Sequence, residues 1–180
     1  MKHLFHYLKV AFRISFNHNR QEELVWRDLK DYHKTQEYNS GVFEKEKTIE
    51  SVFPISEKKS LKFTYFTQNG KLHFTSLILN KYDPDIASEV FILATHFNNI
   101  LNEGSVIVYP NHLCVQFVLK TSYIANIVYS ADKHRYTKMH YDSSIDVFWA
   151  FDKLVTEKED PVIIIADLMR MKEELKENKS

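Results

Sequence analysis

The sequence predicts an α+β fold, and three observations support this. Helical periodicity appears at both ends of the chain, an Asn-Gly hairpin signal lies near the middle, and a second pair of alternating strands follows a further helix. Since the strands of each pair are contiguous in the chain, we expect an antiparallel sheet of two hairpins packed against helices. The order is helix-hairpin-helix-hairpin-helix. We predict an N-terminal helical extension over residues 1–41 and a single α+β domain over residues 42–180.

The first 16 residues have the pattern of an amphipathic helix. Lys2, Lys9 and Arg13 recur on a basic side, and the opposite side is apolar. Its apolar residues are Leu4, Phe5, Leu8, Ala11, Phe12 and Phe16. This face is too large to leave in water, so it should dock on the domain's own sheet, on a second subunit or on a membrane surface. We favour the two protein destinations, because so few charges bind lipid weakly.

A second helix is predicted from Glu22 to Glu37, and Asn39-Ser40-Gly41 ends it. Residues 42–60 are polar and irregular, which is typical of a loop or linker with at most a short strand. The clearest local signal follows, where Leu61–Thr67 and Leu72–Leu79 alternate on either side of Asn69-Gly70. Asn-Gly favours a two-residue turn with positive φ at both positions. This turn places Tyr65 opposite Phe74, on an apolar face beneath a helix.

The next helix begins at Asp83-Pro84, with Asp83 as N-cap, and Gly104 is expected to close it. Ser105–Tyr109 and Leu113–Lys120 form the second predicted hairpin. Residues 121–141 fit either a strand or a short helix, and periodicity leaves both open.

Two helices are predicted in the C-terminal part of the chain. Ser143 to Asp146 resembles a capping box, which places a helix start at Ser143. Asp160-Pro161 begins the last helix. Its segment Val162–Met171 is so apolar that we expect burial on nearly every side.

Composition argues against several classes of function. Lys and Arg total 24 and equal Asp and Glu, whereas nucleic-acid binders usually carry a basic excess, so we expect no nucleic-acid partner. The three glycines are too far apart for a phosphate-binding loop. A single cysteine, Cys114, rules out an intramolecular disulfide and fits the cytoplasm. No apolar run is long enough for an integral membrane segment, and the N-terminus is a poor secretory signal.

Candidate catalytic and metal-binding residues are weak in this sequence. The nine histidines do not have metal-ligand spacing, so we expect no metal, no cofactor and no catalytic residue. His140 and Asp142, next to two serines, are the best starting point for an enzyme alternative. Cys114 alternates with core residues and is interpreted as a buried small hydrophobe.

Two blocks of sequence resemble the YbjN family. One runs from Ala94 to Gly104 and into the strands Ser105–Tyr109 and Leu113–Leu119, and the other runs from Ile145 to Phe151 and from Asp160 to Leu168. The likeness covers about residues 60–170 and follows element order more than motif. It implies a fold similar to type III secretion chaperones and a regulatory or chaperone-like role through protein interaction. It supplies no catalytic residues.

The sequence therefore favours a cytoplasmic, non-enzymatic domain that binds a protein partner or forms a homodimer. The candidate interface residues are Leu4, Phe5, Leu8, Phe12 and Trp149. The alternatives are a small-ligand or peptide-binding domain that uses a cleft beside the sheet, and an enzyme with a site near His140 and Asp142.

Overall fold

The computed structural model describes residues 2–57, 59–128 and 133–177, with side chains described from Tyr7 and, after the second gap, from Arg135. The helices are α1 (Lys2–Ile14), α2 (His18–Thr35), α3 (Ala87–Ile100), α4 (Tyr123–Val128), α5 (Lys133–Glu157) and α6 (Pro161–Glu177). The strands are β1 (Ser40–Phe43), β2 (Thr48–Pro54), β3 (Ser60–Gln68), β4 (Lys71–Leu79), β5 (Ser105–Tyr109) and β6 (Cys114–Ser122). They form an antiparallel six-stranded sheet in the order β1-β2-β3-β4-β6-β5, which confirms the α+β prediction.

The described chain divides into two compact units. The first contains the residues up to Thr75 together with Leu119–Met139, and the second contains Ser76–Val118 and the residues from His140 onward. The strands β4 and β6 therefore each contribute to both units. The assignment of residues 1–41 as a separate extension stays a prediction.

The first unit contains a strand pair, β1 and β2, where the sequence predicted a loop or linker. Ile49 of β2 pairs with Tyr65 of β3 and is fully buried, and Ser51 pairs with Phe63. The loop prediction was wrong because the turn between β1 and β2 carries no Gly or Pro. Lys47 adopts the left-handed conformation there (φ 47°), which a non-glycine residue rarely does.

The predicted Asn-Gly hairpin is confirmed. Asn69 and Gly70 both have positive φ, at 49° and 78°. The Tyr65 and Phe74 rings meet edge to face with centroids 5.5 Å apart, and both side chains are buried. His33 of α2 packs on the same tyrosine with a ring separation of 4.8 Å, so a helix covers this face as expected.

Helix α2 begins four residues before the predicted start at Glu22. The Asn17 side chain accepts a hydrogen bond from the Arg20 backbone N–H at 3.0 Å, which is an ordinary N-cap. Of residues 121–141, which stayed open in the sequence, those through Ser122 are strand and Tyr123–Val128 are helix. Residues 129–132 lie outside the described residues, and those from Lys133 belong to α5. The Tyr123 backbone N–H donates to the Gly70 carbonyl at 2.9 Å, which ties α4 to the hairpin turn.

The second unit has a core formed by α3, α5, α6 and parts of the sheet, including Leu93, Phe97, Phe117, Phe151 and Ile164. The predicted hairpin of β5 and β6 is present, with Tyr109 opposite Cys114. Asp83 caps a short 3₁₀ turn, Pro84–Ile86, that leads into α3. The helix ends at Ile100 and Leu101 is already extended, so Gly104 (φ 86°) belongs to the turn before β5 and does not cap the helix.

The predicted helix start at Ser143 was wrong, since α5 begins at Lys133. Ser143 and Ser144 lie inside this helix, where the Ser144 hydroxyl donates to the His140 carbonyl at 2.6 Å. A serine inside a helix can also donate a hydrogen bond to a carbonyl of the preceding turn. The capping pattern was therefore misleading.

Helix α6 begins as predicted, because the Asp160 carboxylate accepts a hydrogen bond from the Val162 backbone N–H at 2.8 Å. Its expected burial on nearly every side was wrong. Ile164 is fully buried, whereas Val162 is 60% exposed and Ile163 is 50% exposed. Consecutive helical residues point about 100° apart, so a helix packed on one side cannot bury four in a row.

Replacing Gly70 with valine should destabilise the hairpin. Gly70 has φ 78°, and an added Cβ would lie 2.7 Å from the His18 ring. We expect the free energy of unfolding to fall by about 1 kcal/mol or more, as measured by urea unfolding. Gly41→Ala is the control, since a Cβ at Gly41 meets only ordinary contacts. Equal stability of the two variants would contradict the turn assignment.

Neighbouring isoleucines in α6 should respond very differently to aspartate. Ile164→Asp places a carboxylate in the core and should prevent folding, because an unpaired buried charge costs on the order of several kcal/mol. Ile163→Asp should leave the melting temperature nearly unchanged, since this side chain is half exposed. Circular dichroism melts of both variants test the orientation of α6, and a folded Ile164→Asp variant would refute it.

Candidate binding surfaces

The residues of the enzyme alternative do not form a catalytic group. His140 is fully buried in the second unit, and its ring stacks on Phe117 with centroids 5.5 Å apart. Asp142 follows two residues later on the same helix and is exposed. Residues separated by two positions on a helix point in different directions. The structure therefore does not bring His140 and Asp142 together around a reacting centre.

Burial favours the neutral form of two core histidines, His140 and His33. Burial lowers the pKa of His140 to about 3, and a backbone hydrogen bond with Phe117 opposes this shift only in part. Burial also lowers the pKa of His33 in the first unit, whose Nδ1 lies 3.0 Å from the Leu29 carbonyl. Both rings are neutral near pH 7, and both pack in the core.

Cys114 was expected to be buried, but it is the first residue of β6 and is only half buried, and burial raises the pKa of its thiol. Among the described residues, no cluster of three or more His, Cys, Asp or Glu side chains is arranged to hold a metal ion.

The predicted interface residues fall on both units. In the first unit, Leu8 and Phe12 are 58% and 63% exposed, so they do not dock on the unit's own sheet. The side chains of Leu4 and Phe5 lie outside the described set. In the second unit, Trp149 is half buried against the core, with the Lys153 ammonium 5.4 Å from its ring centroid.

The second unit has a groove between α3 and α6 that the sequence did not indicate. Phe97 and Leu168 are buried at its base, and Leu101 is half buried. Ile100 and Met169 also line it and are 42% and 48% exposed. The enclosed space is about 180 Å³. This apolar groove is open to solvent on the second unit.

Charged side chains line the rest of the groove. They are Asp146, Lys172, Glu173 and Lys176, so the two signs are balanced. Lys172 forms an ion pair with Asp146, which links α6 to α5. Apolar lining with polar groups at the margin is the usual anatomy of a protein interface.

A second set of ion pairs links α5 to α6 near the turn that joins them. The Lys153 ammonium contacts the carboxylates of Glu159 and Asp167, and these hydrogen bonds, with Glu159 the larger effect, raise the lysine pKa. The Lys153 hydrogen bond also lowers the pKa of Asp167. The helix that forms one wall of the groove is thus anchored to α5 at two places.

No protein-family model matches this sequence, and no curated protein matches it. The fold, however, is similar to that of YbjN, a proposed transcription regulator from E. coli. The TM-score is 0.50 at 9% sequence identity, and the match covers 71% of this chain and 91% of YbjN. The predicted resemblance to the YbjN fold is therefore confirmed.

A second solved structure, the ExsC-ExsE complex, matches with a TM-score of 0.48 at 9% identity. That match covers 74% of this chain and 95% of the other.

None of the helices in the described residues is long and apolar enough to cross a bilayer.

Replacing His140 with phenylalanine should flatten the dependence of stability on pH. The unfolded histidine takes up a proton below about pH 6.5, whereas the folded one stays neutral until the pH approaches 3. The stability that His140 contributes is thus complete above pH 6.5 and is lost as the pH falls towards 3. Urea unfolding at pH 7 and pH 5 should show that wild type loses about 2 kcal/mol more than His140→Phe. Equal losses of stability in wild type and His140→Phe would contradict a buried, neutral His140.

Proposed function

We propose that this chain is a non-enzymatic protein-binding domain, which acts in the cytoplasm in a chaperone-like or regulatory role. The observation that carries the proposal is the groove between α3 and α6. Its exposed apolar residues, Ile100 and Met169, lie over a base of buried Phe97 and Leu168. A folded domain gains nothing by keeping such side chains in water, so an apolar groove with a polar margin supports a binding role.

The size of the groove favours a protein segment over a small ligand. Sites for small molecules usually enclose about 300–1,000 Å³ and bury most of the ligand. The groove encloses about 180 Å³ and is open on one side. That space suits one or two anchoring side chains of a larger partner.

The partner chemistry follows from the lining. We propose that the groove takes an amphipathic helix of another protein, with apolar side chains that repeat at helical spacing. Mixed charges at the margin would pair with a partner surface that also carries both signs.

Site-specific photo-crosslinking in the native host tests this function. A photoreactive phenylalanine analogue at Ile100 should form a covalent adduct with one protein, which mass spectrometry of the adduct identifies. Adding Met169→Lys should reduce that adduct about tenfold or more, since a charge in the apolar groove opposes docking. The same analogue at Glu157, which is exposed and does not line the groove, is the control.

Three outcomes separate the alternatives. An adduct at Ile100 with a different protein that Met169→Lys suppresses would support the proposed partner. An adduct with a second copy of the chain would replace it with the homodimer. Absence of an adduct, or the same adducts from Glu157, would refute the groove as a binding site.

A further inference from the structure

The first unit carries a different exposed surface, formed by α1 and the start of α2. The side chains of Tyr7, Leu8 and Phe12 are 68%, 58% and 63% exposed. Val10, Arg13 and Ile14 are half buried, so the other side of α1 faces the unit. Helix α1 therefore packs through one side and presents an apolar stripe to solvent on another.

This apolar stripe continues into a hollow on α2. The rings of Phe12 and Phe16 meet edge to face at 4.8 Å, and the Arg20 guanidinium lies 4.1 Å from the centroid of the Phe16 ring. The hollow has a volume of about 420 Å³. Its lining residues are Phe16, Arg20, Glu23, Leu24, Trp26, Arg27 and Lys30.

Cations outnumber acids among the residues that line the hollow and among those that precede it in the chain. The charged lining residues of the hollow are three cations and one acid, Glu23, which is itself bridged to Lys47 at 2.6 Å. Lys30 is bridged to Glu44 at 2.7 Å and Arg27 to Asp28 at 3.9 Å, so among the lining residues the excess comes mainly from Arg20. The sequence before Glu22 contains four Lys or Arg residues and no Asp or Glu, although the whole chain is neutral.

We propose that α1 and this hollow form a docking surface for an anionic lipid bilayer. The apolar stripe of Tyr7, Leu8 and Phe12 would enter the boundary between headgroups and acyl chains. The guanidinium groups of Arg20 and Arg27 would face the headgroup phosphates and carboxylates. The sequence alone argued against this use, because only Lys2, Lys9 and Arg13 were recognised as charges on the helix. The structure adds the hollow beside the stripe.

A bilayer fits this surface better than an acidic protein segment. The stripe lies on the convex side of a helix, and a bilayer adapts to a convex apolar surface without a matching groove. Tyr7 combines an apolar ring with a polar hydroxyl, as aromatic residues at membrane interfaces do. Lys2, Lys9, Arg13 and Arg20 are distributed along the chain with no acid before Glu22, which suits a diffuse anionic surface.

Vesicle co-sedimentation with the full chain tests the proposal. Wild type should sediment with vesicles of phosphatidylcholine and about one third phosphatidylserine, but not with phosphatidylcholine alone. High salt should weaken the binding. Leu8→Ser with Phe12→Ser should abolish it. Arg20→Ala with Arg27→Ala should lower the affinity about 25-fold, roughly fivefold for each charge.

Val162→Ser with Ile163→Ser is the matched control, because it removes exposed apolar residues from the second unit. This pair should sediment like wild type, and circular dichroism should show that all variants are folded. The proposal is overturned if wild type fails to bind, binds neutral vesicles equally well, or binds poly-glutamate but not vesicles. It is also overturned if the Leu8 and Phe12 variant or the Arg20 and Arg27 variant binds vesicles like wild type, or if the control variant loses binding.

Discussion

Alternate side chains of a β-strand point to opposite faces, and in β3 and β4 this alternation separates a buried set from a partly exposed set. Leu61, Phe63 and Tyr65 of β3 are buried, as are Leu72 and Phe74 of β4. A shift of one residue in the register of either strand would move these side chains from the buried face to the solvent-exposed face. The positive φ angles at Asn69 and Gly70 fix the register, so the turn determines which face the helices must cover.

Each helix covers a core with one side and leaves another side available. In the first unit, α2 packs His33 on Tyr65, while α1 leaves Leu8 and Phe12 exposed. In the second unit, α6 buries Ile164 and exposes Ile163. The apolar side chains that the cores do not use form the two surfaces proposed for binding. The proposed binding functions thus depend on apolar residues that the two cores do not bury.

Local signals in the sequence were sufficient for much of the fold. Asn69-Gly70 and Asp160-Pro161 predicted a turn and a helix start correctly, because their backbone geometry depends on these residues themselves. The β1–β2 turn was missed because Lys47 supplies the positive φ that Gly usually provides. The capping pattern at Ser143 was misleading because serine also occurs inside helices, where the neighbouring Ser144 donates to the His140 carbonyl.

The candidate groove could not be predicted in the same way. Ile100 and Met169 are far apart in the chain, and each resembles an ordinary core residue in its own helix. Only the packing of α3 against α6 shows that both face the same open space. In contrast, periodicity identified Leu8 and Phe12, because their spacing places both on one side of a single helix.

Amide hydrogen exchange tests most directly whether the groove is where a partner binds. Exchange would be measured by mass spectrometry on the full chain alone and on the complex isolated through the Ile100 adduct. The predicted result is slower exchange in the complex at 101–104, after α3, and at Lys172–Glu177 of α6, with the buried strands unchanged. Unchanged exchange at both segments, with protection elsewhere, would contradict the proposed function.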